Sequence, residues 1–175
     1  MATEIEAKLK VDSFDDIERR LTDLGAEFVG EYFQKDYYFD DCRRSLTNGD
    51  MCLRLRCQTT CDRKTTKLTY KGAKEKNDFK KRREIEIEIS DSDALTDLLS
   101  ALGYTSATVV EKKRRLWRIA GCEVALDRLP QLGSFVEVEG PDSQSIAAVQ
   151  RNLGLGHLPH IPQSYACLIE QNHRG

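Results

Sequence analysis

Arg82-Arg83-Glu84-Ile85-Glu86-Ile87-Glu88-Ile89 alternates charged and aliphatic side chains over most of its length. In an extended chain successive side chains point to opposite faces, so the stretch predicts a β-strand with a carboxylate face and an isoleucine face. The same alternation opens the chain in Glu4-Ile5-Glu6-Ala7-Lys8-Leu9-Lys10-Val11. It returns in Leu53-Arg54-Leu55-Arg56, in Lys67-Leu68-Thr69-Tyr70-Lys71, in Val124-Ala125-Leu126-Asp127 and in Phe135-Val136-Glu137-Val138-Glu139. Tyr37-Tyr38-Phe39 and Val109 to Trp117 complete an expected set of about eight strands. The polar faces are built from Glu, Arg and Lys, and some strands are wholly acidic there while others are wholly basic. A solvated face needs no such sorting. A closed barrel with these faces inward would gather the rows in one space; a half-buried sheet with its charges in water is the competing reading.

Outward apolar faces need a cover. Asp12-Ser13 is placed to cap a helix over Phe14 to Leu24, Asp91-Ser92 one reaching Leu102, and Asp142-Ser143 one reaching Leu153. Leu95, Leu98, Leu99 and Leu102 form the expected stripe of the second helix. Gly25, Gly103 and Gly154 stand just past the three helix ends, where a left-handed residue is wanted. A short helix over Ser164 to Gln171 closes the chain, and Gly72 to Phe79 reads as a loop. Strand, Asp-Ser cap, helix and Leu-Gly recur as Glu4 to Gly25, Arg82 to Gly103 and Ser134 to Gly154, a repeated architecture rather than a repeat array.

The chain has 175 residues, a length suited to one domain over 1–175 that needs no disulfide or metal staple. With 27 Lys+Arg against 29 Asp+Glu the net charge is −2, which disfavours a nucleic-acid binder. No apolar run approaches the ~18 residues of a membrane span, and no secretory segment follows Met1, so a cytoplasmic location and no membrane partner are expected. Six cysteines then read as reduced, mostly buried thiols. Zinc on Cys52, Cys57 and Cys61 with His157 and His160 is the competing reading, but the spacing matches no standard structural site.

Inside a charged barrel the two signs have separate uses. Arginine and lysine rows suit a polyanion such as a triphosphate, through forked donors and point charges respectively. Carboxylates beside that anion require a hard divalent cation between them, Mg²⁺ or Mn²⁺. Glu4 and Glu6 share one side of a strand, and Glu137 and Glu139 are placed to complete the set. Such a site suits phosphoryl or nucleotidyl transfer.

Glu4-x-Glu6-x-Lys8 resembles the ExExK signature of the CYTH superfamily, the triphosphate tunnel metalloenzymes. The similarity continues through Asp36 to Asp40, Leu53 to Arg56, Leu68 to Gly72, Arg82 to Glu86, Val110 to Arg114, Leu126 to Leu129, Leu132 to Glu139 and Ser164-Tyr165. The resemblance implies an α+β fold: a closed eight-stranded antiparallel β-barrel, the triphosphate tunnel, with a charged interior and amphipathic helices packed outside. It implies metal binding by Glu4, Glu6, Glu84, Glu86, Glu137 and Glu139. It implies triphosphate binding by Lys8, Arg54, Arg56, Lys67, Lys71, Arg82, Lys112 and Arg114. Glu4, Glu6, Lys8 and Asp127 are the implied catalytic set, Asp127 handling metal or nucleophile.

Within the family the stretch from Leu102 to Phe135 is most similar to class IV adenylyl cyclases. That implies conversion of ATP to cyclic AMP and pyrophosphate, with a homodimer as the expected assembly. Cyclases of that class carry a His-Phe pair before ExExK, whereas Met1-Ala2-Thr3 precedes Glu4 here. The alternative is an inorganic or thiamine triphosphatase releasing orthophosphate. A lesser alternative is a non-catalytic polyphosphate- or nucleotide-binding module.

Overall fold

The computed structural model describes the backbone of residues 2–73 and 80–172, and the side chains of residues 5–73 and 82–172. Its strands are β1 (Ala2–Val11), β2 (Glu27–Asp40), β3 (Cys52–Thr59), β4 (Lys64–Lys71), β5 (Lys80–Glu88), β6 (Thr105–Ile119), β7 (Cys122–Leu129) and β8 (Gly133–Glu139). Its helices are α1 (Asp15–Asp23), α2 (Ser45–Asn48), α3 (Ser92–Ala101), α4 (Ser143–Asn152) and α5 (Tyr165–Asn172). All eight expected strands are present. β2 is far longer than Tyr37-Tyr38-Phe39, because Gly30 and a register shift between Phe28 and Gly30 interrupt its alternation. The expected loop at Gly72–Phe79 lies mostly outside the described residues.

Local chemistry explains the helix ends. The Asp91 carboxylate accepts from the amides of Asp93 and Ala94, and Asp142 accepts from the amide of Ser145, satisfying donors left over in the first turn. At α1 the Ser13 hydroxyl accepts from the Asp15 amide, while Phe14 occupies the capping position itself. Gly25, Gly103 and Gly154 have φ of 71°, 88° and 76°, the left-handed conformation their positions require.

The sheet runs in the order β1-β5-β4-β3-β2-β6-β7-β8, antiparallel throughout, and the pairing returns to β1. That return is uneven. Ala2–Glu6 of β1 pair with Lys80–Glu84 of β5, whereas Glu6–Val11 pair with Ser134–Glu139 of β8. β5 is divided likewise, its Glu84–Glu88 half pairing with Lys67–Lys71 of β4. Among the described residues, Glu6 of β1 and Glu84 of β5 are therefore the only positions of these two strands with a strand partner on both flanks. This corrects the expected closed barrel: the sheet is strongly curled and partly open along the β1–β5 seam rather than a sealed tube. Alternation decides which face points inward, but the stagger with which two edges meet belongs to the whole sheet.

Helices α1 and α4 cover the outer face of β1, β7 and β8, where Ile17, Leu21, Ile146 and Val149 pack with Leu9, Val124, Leu126, Val136 and Val138. Each such side chain, fully buried, contributes about 2 kcal/mol of hydrophobic stabilisation. Leu99 of α3 packs with Phe39 and Leu55. Leu98 and Leu102 remain 56% and 65% exposed, so of the expected α3 stripe Leu99 is buried, Leu95 half-buried and the other two face outward. Helix α5 makes a third cluster, setting Tyr165, Ala166 and Ile169 against Val110, Leu129 and Phe135.

Candidate active site

The inward face of the sheet lines a cavity of about 1020 Å³. Because inward positions alternate, each strand delivers charges two residues apart: Glu6 and Lys8 from β1, Arg54 and Arg56 from β3, Arg82, Glu84 and Glu86 from β5, Lys112 and Arg114 from β6, Glu137 and Glu139 from β8. Lys71 enters from β4. Of the remaining expected residues, Lys67 is 40% exposed, bonds Glu86 at 2.7 Å and lies off the cavity wall. Asp127 is fully buried behind the wall. The side chain of Glu4 lies outside the described residues; its backbone pairs with Arg82.

Two buried carboxylates hold part of the basic set. Arg56 donates Nε and a terminal nitrogen to the two oxygens of Asp36, both at 2.7 Å. Asp127 takes the same fork from Arg114, at 2.7 and 2.6 Å, and accepts from Lys112 Nζ at 2.7 Å. Arg114 also bonds Glu137, which lies 3.4 Å from Lys8 Nζ. Burial alone would raise Asp36, but Arg56 and Arg54 hold its carboxyl well below the usual range. Asp127 is held low against its burial by Arg114 and Lys112. Lys112 is lowered as well, which for a lysine favours the neutral form: burial and Arg114 bring it down to about 8, against the pull of Asp127.

Arg54 and Arg82 are different. Both are buried, at 9% and 8% exposed, and the Nε of each has no hydrogen-bond partner among the described residues. Arg54 gives one terminal nitrogen to the Thr69 hydroxyl at 3.2 Å, and its nearest oxygen of Asp36 is at 4.0 Å. A buried guanidinium with an unmet donor is costly unless an anion arrives to take it.

The acids divide too. Glu137 is drawn to Arg114 and Lys8, Glu86 to Lys67 and Thr69, and Glu84 to Lys71 at 3.2 Å. Burial pushes the Glu139 carboxyl up to about 7; Lys71 opposes this, while Glu6, Glu84 and Glu123 add to it. That excess of carboxylate charge, all hard oxygen donors, fits a divalent cation. Among the described residues no three His, Cys, Asp or Glu side chains are already gathered at metal-binding distance. Cys52, Cys57, Cys61, His157 and His160 likewise form no such group. All six cysteines are free; Cys42 and Cys61 are exposed and Cys122 alone is buried, which corrects the expectation of mostly buried thiols.

Sequence reasoning missed Asp36, Thr69 and Glu123 as parts of the site. Asp36 stood in the quoted motif, and its place opposite Arg56 in the β2–β3 register was the signal available. Glu123 follows Cys122 where the alternation of β7 is least clean, and only its register with Glu139 brings it in. No helix among the described residues is long and apolar enough to cross a membrane.

A protein of Methanocaldococcus jannaschii, provisionally named an adenylate cyclase, is 31% identical over 136 residues, 78% of this chain and 75% of its own length. The structure of the PH1819 protein from Pyrococcus horikoshii superposes with a TM-score of 0.83 at 28% identity, covering 96% of this chain and 99% of that one. A Hippeastrum protein, provisionally called an adenylyl cyclase and described as having a dominant triphosphatase activity, shares the fold at a TM-score of 0.71 and 15% identity, covering 96% and 95% of the two chains. The CYTH domain pattern matches residues 2–165, and with it the charged cavity described above has its family: this chain belongs to the CYTH domain proteins.

Proposed function

We propose that the protein is a metal-dependent triphosphatase, cleaving the terminal phosphate from an inorganic or organic triphosphate. The observation that carries this reading is the pair Arg54 and Arg82, buried guanidiniums beside a cavity large enough for a triphosphate, whose Nε donors have no partner among the described residues. With Lys8 and Lys71 they would bind the phosphate oxygens, and the Arg56 and Lys112–Arg114 groups, already fixed on Asp36 and Asp127, would define the edge of that cradle. Glu6, Glu84 and Glu139, with Glu4 from the same strand as Glu6, would hold Mg²⁺ or Mn²⁺. A bound divalent ion would supply charge neutralisation at the phosphates and orientation of the attacking water.

In the reaction a water oxygen forms a bond to the terminal phosphorus, the bond from that phosphorus to its bridging oxygen breaks, and orthophosphate and a diphosphate leave. The cations offset charge on the non-bridging and leaving oxygens, stabilisation that is strong in a cavity with buried walls. Hydrolysis asks only for a polyphosphate cradle and water. Cyclisation additionally asks that a ribose be held with its 3′-oxygen in line with the α-phosphorus. The dominant triphosphatase activity ascribed to the Hippeastrum protein supports the hydrolytic reading.

Product analysis with inorganic triphosphate, thiamine triphosphate and ATP, each with Mg²⁺ or Mn²⁺, tests it. Orthophosphate release is the expected result. Cyclic AMP with pyrophosphate would replace the reading by adenylyl cyclase, and tight binding without turnover would replace it by a polyphosphate-binding module.

A further inference from the structure

We propose that the aromatic ring of Tyr165, the first residue of α5, is a positioning element for Lys8 and Lys112, holding both ammonium groups charged and in place beside the triphosphate cavity. The inference rests on the triphosphate reading above.

Lys8 Nζ lies 3.9 Å from the centroid of the Tyr165 ring and Lys112 Nζ 4.7 Å from it. The ring is 4% exposed and meets Phe135 edge-on, centroids 5.2 Å apart at 75°. Its hydroxyl donates to Asp127 Oδ2 at 3.0 Å, the same oxygen that accepts from Lys112. The segment entering α5 holds Lys8 a second time, through the Gln163 carbonyl, which accepts from Nζ at 3.0 Å. One residue near the C-terminal end of the fold thus joins two cations from β1 and β6 that are remote from it in sequence.

The chemistry of the partner matters. Asp127 accepts from Lys112 at 2.7 Å and Glu137 lies 3.4 Å from Lys8, and an incoming phosphate must compete with those carboxylates. An aromatic face stabilises a cation through its quadrupole, strongly so when desolvated, but carries no net charge. It also occupies one side of an ammonium group that has three donors. Beside the carboxylates of Asp127 on Lys112 and Glu137 near Lys8, the Tyr165 ring therefore offsets part of the burial of both ammonium groups without adding further negative charge for the polyanion to meet.

The test is calorimetric titration of the full chain with inorganic triphosphate, together with KM and kcat for its turnover. Tyr165→Leu is expected to raise Kd and KM about tenfold while kcat stays within about threefold, and Tyr165→Phe, which keeps the ring, to stay within about threefold in both. A series of fluorinated phenylalanines at position 165, matched in shape but with a progressively weaker ring quadrupole, is expected to raise Kd stepwise; it carries the test should the leucine variant fail to fold. Ile169→Ala, in the same apolar cluster of α5, is expected to lower Tm and leave Kd unchanged. A leucine variant that binds as wild type, a phenylalanine variant as weak as leucine, a flat fluorine series, or an Ile169→Ala loss of affinity equal to that of Tyr165→Leu would each overturn the proposal. Wild-type protein that binds no triphosphate overturns the functional reading, and this proposal with it.

Discussion

Arg56 and Asp36 face each other across β2 and β3 in a two-pronged ion pair, both contacts at 2.7 Å, with Asp36 only 1% exposed. The β2–β3 register places the two residues directly opposite. Removing one member of such a pair leaves a buried charge uncompensated, which typically costs about 3–5 kcal/mol. Asp36→Ala is therefore expected to lower stability by roughly 3 kcal/mol, read as a drop in the denaturant midpoint with an unchanged slope. The same pair shapes acid sensitivity. Because the folded-state pKa of Asp36 lies below its unfolded value, the stabilisation is fully present above about pH 4 and is lost as the pH falls through the folded-state pKa. Acid unfolding of the wild type should be steep below that point and shallower in Asp36→Asn, which has no carboxyl to protonate.

Arg82 has a buried Nε with no hydrogen-bond partner among the described residues. A charge-assisted hydrogen bond to phosphate contributes about 1.5–3 kcal/mol. Arg82→Met should then raise KM for a triphosphate roughly tenfold to a hundredfold, without destabilising the fold. Arg82→Lys should recover little of it, since a point charge does not reproduce the guanidinium fork. Steady-state kinetics beside a thermal melt separates the two effects, and an unchanged KM would remove Arg82 from the cradle.

Lys112 is brought down to about 8 by burial and by Arg114. Its positive charge is therefore present below that pH and lost above it, so KM is expected to climb between pH 7.5 and 9 on the scale of that value. Saturating substrate should mask the change, because a bound polyanion favours the charged lysine. Lys112→Arg keeps its charge throughout and should flatten the alkaline limb. A limb that survives in Lys112→Arg would assign it to another group.

Glu6 and Glu139 face each other in the β1–β8 register. If they share a divalent cation, EDTA should abolish turnover and Mn²⁺ or Mg²⁺ restore it. Glu6→Gln should lower kcat by at least about a hundredfold while its Tm without metal equals or exceeds that of wild type, since one of the repelling acids around Glu139 is gone. Full activity in chelator would remove the metal from the mechanism.

Much of this site was legible along the chain. Glu6, Lys8, Arg54, Arg56, Arg82, Glu84, Lys112, Arg114, Glu137 and Glu139 were picked out by alternation and family resemblance, and all line one cavity. Asp127 was equally visible as a residue, but its position was not: it lies behind the wall with three residues donating to it instead of facing the cavity. The ends of α3 and α4 were readable because an Asp cap and a following glycine act within one turn. The full length of β2 was hidden because a glycine and a register shift break the two-residue period.

Sequence by itself determined which stretches become strands, which face of each carries charge, and where the capped helices α3 and α4 begin, because these follow from interactions over one to four residues. Tertiary structure alone decided the rest. It set the stagger by which the two halves of β1, and of β5, pair on opposite flanks, the choice of Asp36 and Asp127 as partners for particular cations, and the arrival of Tyr165 beside Lys8 and Lys112. Each depends on distance and burial between residues far apart in the chain. A charge inside the sheet is neutralised, held ready or shifted in pKa by what the fold brings within a few ångströms of it.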